Sequence, residues 1–249
     1  MIALALAVSA ALYAWGVLRA RARGRIVPRG ALVAFAAGVA VLGAALAGPL
    51  DGLSDRYLSW HMVQHLLLSS VVAPLLVLGA PARVALGALP AVQARALARA
   101  LASKPIALVS QPSVAWLQFV AVLYVVHFSP LYEAALENET IHACEHTLFL
   151  VSAFVFWTAV LAVAPVPHAP SHPVRILLLF LALPVTSFLG FIFFVSHRPF
   201  YAHYAATAGA VSDQANAGAV MWIAGGAPLF IAMLALVAAW GERERRLET

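Results

Sequence analysis

HMVQHLLLSSVVAPLLVLGA at 61–80 and HACEHTLFLVSAFVFWTAVL at 142–161 decide how this chain folds. Each stretch is about the length a helix needs to cross the roughly 30 Å hydrocarbon layer of a bilayer. Each also opens on two histidines four residues apart, His61/His65 and His142/His146. That spacing puts both rings on one helix face, one turn apart. An imidazole inside a membrane span is costly and needs a partner, a metal or a proton path. Two crossing helices that each carry paired imidazoles at one edge are therefore the core expectation.

The rest of the chain extends that pattern. Charged residues make up 10% of the 249 residues and hydrophobic residues 63%, whereas soluble domains carry about 25% charge. Seven spans are expected, near 1–18, 30–50, 58–78, 112–128, 141–164, 174–195 and 215–240. Their apolar residues do not alternate, which points to helices rather than barrel strands. Lys104-Pro105 and Gln111-Pro112 leave the start of the fourth span open. The first apolar run has its basic residues after it, not before, so it reads as a retained span rather than a signal peptide. The expected architecture is an all-α, polytopic membrane helical bundle forming one domain over 1–249. No internal repeat, linker or nucleotide-binding glycine pattern interrupts it, and the single Cys144 excludes an intrachain disulfide.

Charge placement gives the expected orientation. Arg19, Arg21, Arg23, Arg25 and Arg29 follow span one, and Arg83, Arg95, Arg99 and Lys104 follow span three. Arg175 precedes span six, and Arg243, Arg245 and Arg246 follow span seven. With seven spans all 13 lie on one side and only Arg56 and Arg198 on the other. The positive-inside rule makes that basic side cytoplasmic, with the N-terminus outside and the C-terminus inside. The expected location is the cell's inner (cytoplasmic) membrane, with membrane lipid as the surrounding partner. Topology thus accounts for the net charge of +5, and nucleic acid is not an expected partner. Small residues on several helices would accommodate a homodimer, although they do not count subunits. Arg95 and Arg99, one turn apart between spans three and four, fit a short helix lying at the interface.

The same topology gathers His61, His65, His127, His142, His146, His197 and His203 on the outer side, with Glu145, Asp213 and Gln214. Neutral imidazole suits copper, zinc, iron and nickel, and a carboxylate can complete the shell or fix an imidazole tautomer. Candidate metal ligands are His61, His65, His142, His146, His127, Glu145 and Asp213. Interhelical hydrogen bonding is the competing use of the same rings. His127 fits a capping role equally well, and His197 and His203 fit a solvated turn. His168 and His172, in a proline-rich loop, receive no site role. Met62, Met221 and Cys144 are soft-ligand candidates, with apolar packing the expected use of Met221 and Cys144.

At these residues the sequence resembles a known family. HMVQHLLLSSVVAPLLVLGAP, HFSPLYEAALENETIHACEHTLFL, SFLGFIFF with SHRPFY, and SDQANAGAVMWIAGG are similar, in that order, to motifs of the CtaG-type cytochrome c oxidase assembly proteins associated with caa3-type oxidases. The resemblance implies a multi-helix membrane assembly factor for haem–copper oxidase, with an oxidase subunit as partner and a role in copper supply. Carried onto this chain, it points to His61, His65, His127, His142, Glu145, His146, Asp213 and Gln214. DQAN at 213–216 and Cys144 depart from the family pattern. The expectation is a copper-binding chaperone that delivers its ion to an oxidase subunit and is not an enzyme. A haem-binding membrane protein and a metal-free assembly scaffold stand as alternatives. HACEH also matches the HxxEH pattern of zinc peptidases. After Glu145, however, the only glutamates are Glu242, Glu244 and Glu248 at the far end, so that fold's further Glu ligand is missing.

Overall fold

Apolar runs of about twenty residues, punctuated by proline and glycine, form helices throughout the computed structural model. It describes residues 2–163, 165 and 169–248; His168 and residue 164, at the end of the expected fifth span, lie outside the described residues. In chain order the helices are α1 (Ile2–Ala22), α2 (Arg29–Ala47), α3 (Pro49–Ser54) and α4 (Leu58–Leu66). A π-helical turn, Leu67–Val72, joins α4 to α5 (Ala73–Leu78), followed by α6 (Pro81–Ala88), α7 (Ala91–Leu101) and α8 (Lys104–Val109). The second half comprises α9 (Pro112–Phe128), α10 (Pro130–Glu137), α11 (Glu139–Leu161), α12 (His172–Val195), α13 (Ala202–Ala205) and α14 (Ala210–Glu248). Among the described residues there is no strand.

Six of these stretches are long and apolar enough to cross a membrane, and α9 with α10, bent by 69°, makes a seventh if counted as one span. The expected third span, 58–78, is part of a longer apolar unit, Leu58–Ala88. Pro112 sits in the first turn of α9, where its missing N–H costs nothing, and this fixes the ambiguous fourth start. The residues after His127 form a further helix between the expected fourth and fifth spans. Ser129 accepts from Leu131 N, Pro130 opens the helix, and α10 folds back toward α11. Arg95 and Arg99 lie on α7, which has no buried residue, as a helix on an interface would.

Beside a small cluster of Val17, Ala20, Val27 and Val84, two larger apolar clusters divide the bundle along its length. One centres on Phe119, Phe156, Trp157, Leu179 and Leu229. The other contains Leu58, Met62, Phe149, Phe193 and Met221 and surrounds the histidine end. Leu4, Leu12, Leu117, Ile223 and Ile231 are all at least 60% exposed, which suits a surface solvated by lipid chains. At the junction of the clusters Trp157 Nε1 donates to Ser69 O at 2.9 Å, and the Ser69 hydroxyl donates to His65 O at 2.8 Å. The widened π turn thus keeps its carbonyls satisfied just below His65.

Helices α12 and α14 cross at Gly190 and Gly218. A Cβ at Gly190 would lie 2.7 Å from both Gly218 O and Trp222 N. A Cβ at Gly218 would meet the backbone of Phe194 and Gly190 O. Backbone cannot swing aside as a side chain can, so this contact requires glycine. Gly218→Leu is expected to cost about 3 kcal/mol or more and to lower the thermal midpoint of detergent-purified protein. Gly226→Ala is the control, because its Cβ would meet only Leu183 Cδ2 at 3.7 Å and Ser187 Oγ at 3.9 Å. An equal loss in both variants would refute the close-crossing account.

Candidate metal centre

Four helices build the site. α4 presents His61 and His65 from one face, α9 carries His127 in its last turn, and α10 lays Tyr132 across them. The Asn138 side chain caps α11 by accepting from Thr140 N at 2.9 Å and Ile141 N at 3.2 Å. This start point turns His142, Glu145 and His146, at i, i+3 and i+4, toward α4. Ala143, Cys144, Thr147 and Leu148 take the exposed face of the same helix.

The rings meet closely. Ring centres are 4.4 Å apart for His61–His65, 4.2 Å for His142–His146, 5.1 Å for His61–His142 and 5.3 Å for His65–His146. His127 lies 6.0 Å from His65. The ligand atoms of His61, His65 and His146 fall within 4.8 Å of one another, as do those of His61, His142 and Glu145. His61, His65, His127, Glu145 and His146 are buried, and His142 is half-buried.

Hydrogen bonds fix two of the tautomers. Tyr204 donates its hydroxyl to Ser54 O at 2.7 Å, so at His61 Nδ1, 3.0 Å away, its oxygen can only accept. Burial pushes the Tyr204 phenol above its ordinary range and keeps that proton in place. His61 therefore carries its hydrogen on Nδ1 and, as a neutral ring, turns a lone pair on Nε2 toward His65 Nε2 at 2.9 Å. His127 Nδ1 donates to Leu123 O at 2.7 Å, which likewise leaves its Nε2 unprotonated. A ring whose other nitrogen is held by a neighbour is the usual state of a metal-binding histidine.

The remaining polar atoms have nothing to bond. His65 Nδ1, His127 Nε2, His142 Nε2, His146 Nε2, the Tyr132 hydroxyl and both Glu145 oxygens are buried without a hydrogen-bond partner among the described residues. Glu145 comes no closer than 4.0 Å to His65 Nε2. Each such group costs about 1–3 kcal/mol, and buried polar atoms are normally paired. A set of unpaired acceptors converging from α4, α9 and α11 has the chemistry of a cation site.

The other expected ligands are used elsewhere. Asp213 accepts from the Ser59 backbone N–H and hydroxyl, holding the first turn of α4 instead of joining the cluster. Gln214 accepts from Phe200 N and donates to Arg198 O, pinning the last loop to α14. His203 Nε2 lies 3.1 Å from Asp55 O on the exposed side, His197 is exposed, and His172 begins α12. Met62 and Met221 pack in the apolar cluster. Cys144 corrects an expectation: it is exposed rather than packed, because it lies about 200° around the helix from His142. Tyr132 and Tyr204 were not foreseen. Ser129-Pro130 before LYEAALE is a helix-start signal that could have found α10, whereas Tyr204 has no comparable local signature.

A polytopic helical bundle with a buried histidine–carboxylate cluster at one end is an integral membrane protein built around a candidate cation site. The chain belongs to the family described as cytochrome c oxidase caa3 assembly factor (Caa3_CtaG), which it matches over residues 11–243. The family resemblance drawn from the motifs is therefore upheld. Uncharacterized proteins of Mycobacterium bovis and Mycobacterium tuberculosis are each 30% identical over 94% of this chain, and one of Mycobacterium leprae is 28% identical over the same share. The chain spans 38% of the length of these curated relatives. No solved structure matches it.

Tyr204→Phe removes the acceptor for His61 Nδ1 and the donor to Ser54 O. It is expected to destabilise the purified protein by about 1–3 kcal/mol and to release the fixed His61 tautomer. Thermal unfolding and histidine ring nitrogen chemical shifts check both effects. An unchanged His61 nitrogen spectrum would refute the relay.

Proposed function

We propose that this assembly factor binds copper as cargo at the His61/His65/His142/His146 cluster and hands it to an oxidase subunit. The observation that carries this reading is the convergence of unpaired, buried ligand atoms on one point between α4 and α11. His127 supplies a further nitrogen behind His65, and Glu145 supplies the charge. Asp213, engaged with Ser59, falls outside the ligand set.

Charge balance favours monovalent copper. With neutral imidazoles and tyrosines, Glu145 is the one carboxylate among the clustered ligand atoms. Cu(I) with that carboxylate makes a neutral site, whereas zinc or another divalent ion leaves a buried excess charge, which costs several kcal/mol. Ring packing at 4.2–4.4 Å within each pair and 5.1–6.0 Å between the two pairs favours an ion over the flat macrocycle of haem.

The partition of 13 basic residues against 2 supports an orientation with the N-terminus outside, the C-terminus in the cytoplasm and the histidine end facing outward. In the cytoplasmic membrane this orientation turns the site toward the side from which the copper centres of haem–copper oxidases are reached. His142, half-buried among buried neighbours, offers a route for exchange.

Purified protein expressed with copper is expected to retain the ion. His61→Ala and His146→Ala should each lose most of it while still inserting in the membrane, and Asp213→Asn should keep it. Elemental analysis beside an absorption spectrum is the check. Copper retained in both histidine variants would overturn the site, zinc or a Soret band would move the ligand assignment, and no metal in any variant would favour a scaffold.

A further inference from the structure

The cluster contains two three-ligand sets, and they are not independent. His61, His65 and His146 form one set; His61, His142 and Glu145 form the other. Both require His61, and the Tyr204 hydroxyl occupies His61 Nδ1, so only the Nε2 lone pair is available. One lone pair serves one ion at a time. We propose that the two sets are alternative positions for a single copper ion, a loading position and a holding position pivoting on His61, and not a dinuclear centre. This inference rests on the copper reading above.

Three further observations fit one mobile ion. First, His61 Nε2 and His65 Nε2 are 2.9 Å apart. Two nitrogens bound to one ion at about 2.0–2.1 Å lie roughly 3 Å apart, whereas that gap leaves no room for separate ions on each ring. Second, the cluster has one carboxylate, enough to neutralise one monovalent ion. Third, burial is graded. His142 is half-buried, while the inner set of His61, His65 and His146 is 8% exposed or less. An ion arriving from the end of the bundle therefore meets His142 first.

The step between positions is a ligand exchange with no change of oxidation state. The bonds to His142 and Glu145 break as those to His65 and His146 form, the proton on His65 Nε2 moves to its unpartnered Nδ1, and the bond to His61 persists. His142 and His146 are one turn apart on α11, as are His61 and His65 on α4, so exchanging His142 for His146 and recruiting His65 draws the ion further along the helices, by no more than about 4 Å, twice the length of the bond to His61 that it keeps. In the inner position Glu145 remains as counter-charge, 4.0 Å from His65 Nε2.

The test is titration of the full-length, detergent-purified chain with Cu(I) against a competing chelator, followed by timed transfer of bound copper to excess chelator. One equivalent per chain is expected at saturation. His65→Ala should weaken binding at least about tenfold and speed release. His142→Ala should cost less affinity but slow transfer by about tenfold, because the outer position is the way in and out. His65→Asn and His142→Asn, checked by size-exclusion chromatography, repeat the comparison should either alanine variant fail to fold. Two equivalents of similar affinity, or identical effects of removing His65 and His142, would overturn the shared-pivot proposal while leaving copper binding intact. No copper bound by the parent would overturn both readings together.

Discussion

A buried polar atom within a bilayer has no water to turn to, and the histidine end of this bundle is organised by that constraint. Where the protein supplies a partner, most come from far along the chain. Ser54 holds Tyr204, Tyr204 holds His61, Leu123 holds His127, and Tyr201 donates to His127 O. Where it supplies none, the unsatisfied atoms of His65, His127, His142, His146 and Glu145 gather at the ring cluster. The architecture around them makes sense as support for that arrangement: α10 closes over the rings through Tyr132, which stacks on Tyr201 at 4.0 Å, and the apolar side chains of Phe149 and Phe193 fill the remaining space.

Acidic residues illustrate how the same end is held together. Glu133 accepts from the backbone of Ala202 and His203 at the start of α13, fixing the short helix that carries Tyr204. Asp213 grips Ser59 at the start of α4, and Asp51 accepts from Gln64 between the two histidines of that helix. These carboxylates are clamps on the elements that position the rings. Their chemistry allowed a ligand role, but their geometry gives them a mechanical one.

Much of this was legible in the chain itself. The crossing helices follow from apolar length, and the HxxxH spacing places each ring pair on one face without reference to any neighbour. The helix starts were less legible: Gln111-Pro112 left the start of α9 open against Lys104-Pro105, and the cap at Asn138 came only with the structure. What the chain could not express were the choices made between distant segments. Asp213 and Glu145 are both carboxylates near histidines, and only the packing of α14 against α4 decides that one meets Ser59 while the other faces the rings. Tyr204 is separated from His61 by 143 residues, a pairing that no spacing rule reports. Cys144 was misread because burial of a helix depends on how many neighbours surround it, and α11 leaves one face uncovered.

The π turn at Leu67–Val72 has a consequence for how this helix evolves. Such a turn is equivalent to an α-helix with one residue inserted, so its removal would rotate everything on one side by about 100° relative to the other. The chain above the turn, carrying the paired imidazoles, and the chain below it, packed on Trp157, are thereby phased separately. The histidine side chains can be kept in register while the lower half is repacked against different neighbours, because the extra residue absorbs the angular mismatch between the two tasks.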